Sequence, residues 1–276
     1  MSTFNGRFLN GVCYNSKEEW DVSLSSIWTV TRLKTNENFS GHCGGVEMKR
    51  NVSLEEISDG RLYKSNDMVK ADCHGCRGCH KCCTGMGSSV ILDPYDVYRL
   101  QRGLKKSLSD LLAEAFVELN VVDGVILPNL RMAGREERCA FLDKEGRCSI
   151  HEIRPGICRL FPLGRYYENG DFQYFLQVNE CTASNRSKVK VSKWIDTPEQ
   201  GRNHEFLCQW HALLNSLEEA VAGEEDSDRS KQLNLLMLQT FFMRPYETEK
   251  DFYGQFEVRY ADFRRLSEAY GIEKSR

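Results

Sequence analysis

Residues 73–83 read CHGCRGCHKCC, five cysteines in eleven positions, and four more follow as Cys139, Cys148, Cys158 and Cys181. Nine of the 12 cysteines in the 276-residue chain thus lie between Cys73 and Cys181. The chain opens without a cationic stretch followed by an apolar core, so a cytoplasmic protein with reduced thiols is expected, and thiolates at short spacing then point to metal rather than to disulfides. Cys73, Cys76, Cys79 and Cys83 have the C-x2-C-x2-C-x3-C spacing of the bacterial ferredoxin run, with Thr84 in place of the usual proline and Cys82 as an extra thiol. A tight C-x2-C turn also suits zinc, whose sulfur ligands sit at about 2.3 Å, so spacing leaves the metal open. The second set, Cys139, Cys148, Cys158 and Cys181, reads as one sulfur delivered by each of several hairpins. Nine thiols suffice for two four-sulfur sites with one left over.

Composition supports a folded chain with a real core. Hydrophobic residues make up 41%, and the formal charge is −3 with the basic residues scattered, which offers no footprint for a nucleic-acid backbone. No segment approaches the ~20 apolar residues of a membrane span. The sequons at Asn38, Asn51 and Asn185 are expected to be chance matches.

Cys76-x2-Cys79-x2-Cys82-Cys83, followed by CAFLDKEGRCSIHEIRPGICRLFP from Cys139 to Pro162, resembles the bacterial CxxCxxCC proteins, the YkgJ-type cysteine cluster family described as zinc- or iron-chelating. The resemblance covers about residues 69–182 and implies a metal-binding domain; Cys73 and the long flanks depart from the barest family pattern. A similar cluster occurs in flagellin lysine N-methylases, where an iron–sulfur cluster and S-adenosylmethionine are implicated, but no methylase-specific region is recognised here. The expected metal ligands are Cys73, Cys76, Cys79, Cys82, Cys83, Cys139, Cys148, Cys158 and Cys181, and the expected cofactor is an iron–sulfur cluster (4Fe-4S) or zinc. The first reading is a cluster with a redox or group-transfer role. The alternative is a structural zinc module that presents a surface to a protein partner. Neither a nucleic-acid nor a membrane partner is expected, and whether the protein is an enzyme stays open.

Thiolates around a metal leave negative charge to offset, and Arg147, Arg154 and Arg159 lie beside the second set, where each can serve sulfur or pair with an acid such as Glu152. His80 and His151 are read as neighbours of the ligands. Cys13, Cys43 and Cys208 are read as ordinary thiols, although Cys208 and His211 share a helix face. Pro155 should start a short turn that presents Cys158, and Pro162 should end it.

The elements expected around these thiols make an α+β fold: an irregular metal-stapled core of short hairpins and helices, followed by C-terminal helices. The division is an irregular N-terminal cover (1–68), the cysteine-cluster domain (69–222) and a helical extension (230–276). Ser89–Leu92 is expected as a strand. Asp93-Pro94 opens a helix that Gly103 ends, and Ser107 starts a second reaching about Leu119. Asp123-Gly124, Gly146 and Asn169-Gly170 mark hairpin turns. Gly85 to Ser89 reads as a permissive exit turn from the cysteine run. Further helices are expected from Gln200, over 232–243 after an acidic linker at 224–228, and over 252–270, where Phe252, Phe256, Tyr260, Phe263, Leu266 and Tyr270 form a stripe.

Overall fold

The computed structural model describes residues 54–74, 79–178, 180–222 and 228–268, together with the backbone of two short paired strands, β1 (Arg7–Leu9) and β2 (Val12–Tyr14). A short helix, α1 (Leu54–Ile57), leads into β3 (Ser58–Tyr63) and β4 (Met68–Asp72). A 3-10 turn at Lys81–Cys83 comes before α2 (Pro94–Leu104) and α3 (Leu108–Ala113). Next are β5 (Val117–Val122), β6 (Val125–Leu130), β7 (Met132–Ala133) and β8 (Arg138–Cys139). A second 3-10 turn, His151–Ile153, precedes the short helix α4 (Gly156–Leu160). Then β9 (Leu163–Glu168), β10 (Asp171–Gln177) and β11 (Ser187–Lys190) give way to α5 (Val191–Ile195), α6 (Gln200–Ala222), α7 (Asp228–Leu238) and α8 (Phe252–Ser267), with a π turn at Gln239–Met243 between the last two. Small antiparallel sheets followed by C-terminal helices make this an α+β fold.

Turn chemistry explains the local pairings. Asp123 and Gly124 both take positive φ (49° and 83°), as do Asn169 and Gly170 (52° and 77°), and these primed turns join β5 to β6 and β9 to β10. Asp93 caps α2 through a reciprocal box with Asp96, and Ser107 does the same for α3 with Asp110. The exit turn is also present, with Gly85 and Gly87 at positive φ.

Several local expectations shift, each for a tertiary reason. Ser58–Tyr63 is not irregular: it pairs with β10, which also pairs with β9, in a three-stranded sheet. Only Ser58 and Tyr63 are buried in that strand, so its sequence carries no alternation to read. α2 runs one residue past Gly103 and ends with Lys105 at positive φ. Gly103 instead lets Ile153 close in, since a Cβ there would overlap Ile153 Cδ1. α3 stops at Ala113, because the β-branched run from Val117 pairs with β6. Ser89–Leu92 is reduced to a single bridge between Ile91 and Asn129, held by Leu92 N–H to Pro128 O (2.8 Å) and Leu130 N–H to Val90 O (2.9 Å). The helix expected over 232–243 starts earlier, with α7 from Asp228 continuing through the π turn to Met243. Of the expected acidic linker, residues 224–227 lie outside the described residues, as does Tyr270 of the last stripe. Leu266 in that stripe is exposed.

Two apolar cores result. The larger joins α2, α3 and the β5–β6 hairpin to the aromatic faces of α6, the π turn and α8, with Phe206, Trp210, Phe241, Phe256 and Phe263 buried. Phe206 meets Phe256 edge-on at 4.7 Å, a contact worth about 0.5–1.5 kcal/mol beyond its area. The smaller core holds Tyr63, Val69, Ala71, Leu160, Leu163, Leu176, Val191 and Ile195. α4 is wedged between the two: Ile157 belongs to the first, Leu160 to the second.

Near the β5–β6 turn, burial pushes Glu218 of α6 up to about 7, and the charge of Asp123 adds to the shift. A carboxyl whose pKa is raised on folding contributes its full stability below the unfolded value, about 4.3, and loses it as pH rises toward 7. Discounted for solvent around a half-buried group, the effect is on the order of 1 kcal/mol. Glu218→Gln should therefore melt about 2–4 °C higher than wild type at pH 8 and equally at pH 4, as calorimetry would read. Equal melting at both pH values would remove the assignment.

Candidate metal centre

The 3-10 turn at Lys81–Cys83 carries Cys82 and Cys83, and Cys83 N–H closes it on His80 O at 2.8 Å. The chain leaving this turn is stitched to the β7–β8 hairpin by a bridge between Thr84 and Arg138 and by Gly85 N–H to Glu137 O (2.9 Å). That stitch sets Cys83 beside Cys139, which ends β8 opposite Met132. The next loop returns through Gly146, where a bridge pairs Leu142 with Cys148 and Ser149 donates to Phe141 O from both N–H and Oγ (2.9 Å each). Gly146 has φ 74°, and a Cβ there would stand 3.1 Å from His80 Nδ1, so the loop and the cysteine run lie against each other.

Cys158 arrives from α4. Its helix begins after Pro155, as the sequence suggests, and its first N–H, on Gly156, donates to the buried Asp96 Oδ1 of α2 at 2.7 Å. The chain leaves α4 at Phe161, ahead of Pro162.

Five sulfurs from these segments stand within electrostatic reach of one another. A charge on Cys82 raises the pKa of Cys83, Cys139, Cys148 and Cys158 alike. Cys82 and Cys83 share an S–H···S hydrogen bond across 4.0 Å; this bond, with Arg154 nearby, lowers Cys82 and raises Cys83. Burial raises the other three, Cys139 to about 11. Two of them accept a backbone N–H two residues on, Cys139 from Phe141 and Cys148 from Ile150, which favours their thiolates and holds the sulfurs in place. Soft sulfur donors clustered in this way fit zinc or iron.

Arg154 is the nearby cation, favouring the thiolates of both Cys82 and Cys148. It also donates to His151 Nε2 at 3.2 Å, and burial, with the arginines around it, lowers His151 so that the ring stays neutral. Arg159 turns away: it donates to Ile195 O at 2.9 Å and pairs with Asp196 at 3.8 Å, which ties α4 to α5. Arg147 uses its N–H on Asp143 Oδ1 in the loop turn.

Of the other four expected ligands, Cys73, Cys79 and Cys181 lie among the described residues. Cys76 lies outside the described residues. Cys79 is exposed just before the 3-10 turn. Cys73 follows β4, whose Asp72 pairs with Ser187 of β11, so it shares one end of that ladder with the segment leading from Cys181. The grouping therefore cuts across the two sets read from spacing. Cys82, the thiol left over by the ferredoxin pattern, sits among Cys83 and three thiols of the second set.

On α6, Cys208 meets His204 and Asp171 rather than His211. The ligand atoms of the three lie within 4.8 Å of one another. His211 stacks on Tyr167 at 3.7 Å, and burial lowers its pKa to about 4. The i, i+4 pair His204 and Cys208 was open to a sequence reading, but Asp171 is brought to it by the β9–β10 turn.

Residues 75–190 match the family model of the CxxCxxCC proteins, whose description is "Putative zinc- or iron-chelating domain". The matched segment contains all five converging thiols. Searches of curated proteins and of solved structures return no match. Among the described residues, no helix is long and apolar enough to cross a membrane.

Proposed function

We propose that the metal chelated by this domain is an iron–sulfur cluster held by four thiolates drawn from Cys82, Cys83, Cys139, Cys148 and Cys158, and that the cluster has a redox or group-transfer role. The observation that carries this reading is the convergence of five thiols with a spread wider than one tetrahedral site. A single zinc at about 2.3 Å from each sulfur draws its ligands to ~3.8 Å of one another. Among the described residues, no three of the cysteine sulfurs fall within even 4.8 Å of one another. A polynuclear cluster takes one thiolate per iron and so accepts a wider cage. Such a cluster, when bound, supplies one-electron chemistry. The protein's part is to orient the thiolates through the Phe141 and Ile150 N–H groups and to offset their charge with Arg154.

Protein purified and kept without air should show broad visible absorption, an electron paramagnetic resonance signal in one oxidation state, and iron matched by acid-labile sulfide. Colourless protein with stoichiometric zinc from the same preparation overturns the reading in favour of a structural zinc module with a protein-binding role.

A further inference from the structure

We propose that Asp171, His204 and Cys208 form a second metal site, for a single zinc-type divalent cation, separate from the five-thiol centre. This site does not rest on the iron–sulfur reading. His204 and Cys208 are one helical turn apart on α6, so both side chains emerge on the same face. Asp171 opens β10 just after the Asn169-Gly170 turn, and the rigid hairpin brings its carboxylate to that face. Phe172 packs its ring on the His204 imidazole, with centroids 4.4 Å apart, and so holds the imidazole in orientation.

The donor atoms are close without a cation to gather them: His204 Nε2 and Asp171 Oδ1 are 2.6 Å apart, and all three ligand atoms lie within 4.8 Å. Ligands at about 2.0–2.3 Å from a tetrahedral ion stand roughly 3.3–3.8 Å from one another, so small side-chain movements close the site. Asp171 Oδ1 also accepts its neighbour's N–H, from Phe172 at 2.7 Å, which fixes the carboxylate in advance. One sulfur, one nitrogen and one oxygen are the mixed set that a borderline cation takes, and three protein ligands leave a fourth position open.

Entry is available, because the Asp171 side chain is 69% exposed and that of His204 40%. His204 is also part of the lining of a cavity of about 300 Å3 with Ser192, Thr197, Gln200, Asn203 and Glu205. No residue of the set lies on an element that carries one of the five thiols. The ionised neighbours acting on Cys208 are Asp171 and Arg165, and none of those thiols is among them.

The test uses the full-length protein with its thiol centre as isolated, dialysed against Zn2+ and washed, with zinc and iron per chain counted by mass spectrometry. Wild type should hold one zinc more per chain than Asp171→Asn, His204→Ala or Cys208→Ser, with the iron content equal in all four. Asp171→Asn removes an exposed charge and keeps the hairpin, so it guards against loss of fold. In parallel, Zn2+ should slow iodoacetamide labelling of Cys208 at least tenfold in wild type and not in His204→Ala. Equal zinc in wild type and Asp171→Asn, or labelling of Cys208 that Zn2+ leaves unchanged, overturns the site. Because zinc bound here is read against unchanged thiol-centre metal, its failure is distinct from failure of the iron–sulfur reading.

Discussion

Cys158→Ala is expected to lose most of the metal held by the five-thiol centre and to lower the melting temperature by roughly 10 °C. Cys158 sits on a helix clamped between two cores, with Ile157 buried in one and Leu160 in the other, so its sulfur is held in place with little freedom to be replaced by a neighbour. Metal binding to a site formed on folding is itself folding energy, ~10–16 kcal/mol for a structural zinc, which shared over four ligands is about 3 kcal/mol per thiolate. In a chain of this size each kilocalorie moves the midpoint by about 2–4 °C. Burial alone would also make an alanine costly, so Ile157→Val is the matched comparison. It trims the adjacent core by about 0.5–1.5 kcal/mol and should leave the metal intact. Metal per chain and calorimetry on the two variants decide the matter. Undiminished metal in Cys158→Ala would place that thiol in the packing, and the domain's chelation would rest on the other cysteines.

The second large effect is expected at a residue that touches no sulfur bond to metal. Asp96 is 3% exposed and accepts two backbone N–H groups, that of Gly156 at 2.7 Å and that of Asp93 at 3.2 Å. One contact starts α4 and the other closes the cap of α2, so a single carboxylate fixes the helix that carries Cys158 to the helix beneath it. Asp96→Ala leaves the Gly156 N–H without its acceptor, at about 1–3 kcal/mol, and breaks a capping box, at about 1 kcal/mol. The melting temperature should fall by about 5–15 °C, and metal content should fall with it. Asp93→Ser keeps a capping oxygen for α2 and leaves the Gly156 contact alone, so it should keep its metal. If Asp96→Ala is destabilised yet binds metal fully, then Asp96 serves the fold without positioning Cys158.

Both expectations depend on links that sequence patterns convey unevenly. The capping box at Asp93 and Asp96 is legible because it is a local exchange of hydrogen bonds between residues three apart. That the same Asp96 also reaches Gly156, sixty residues on, has no local signature. Arg154 and Arg159 look equivalent beside Cys158, and each offers the same planar donor group. Packing separates them, sending Arg159 to α5 and Arg154 to the thiols. Ser58–Tyr63 escapes a sequence reading because pairing with β10 creates the strand and burial contributes little to it.

What the sequence determines by itself is whatever short-range stereochemistry and composition can carry. Thiol density between Cys73 and Cys181 identifies metal chelation, the Asp123-Gly124 and Asn169-Gly170 pairs identify their hairpins, and Pro155 marks the start of α4. Which thiols meet is decided only by the tertiary structure. The Thr84–Arg138 bridge joins the first cysteine run to the β7–β8 hairpin, and the wedge of α4 between two cores delivers Cys158, so Cys82 joins thiols far from it in the chain. The same holds for Asp171 beside His204 and Cys208. Spacing constrains a sulfur only as far as its own turn reaches, and beyond that distance its neighbours are chosen by the packing of apolar surfaces that themselves bind no metal.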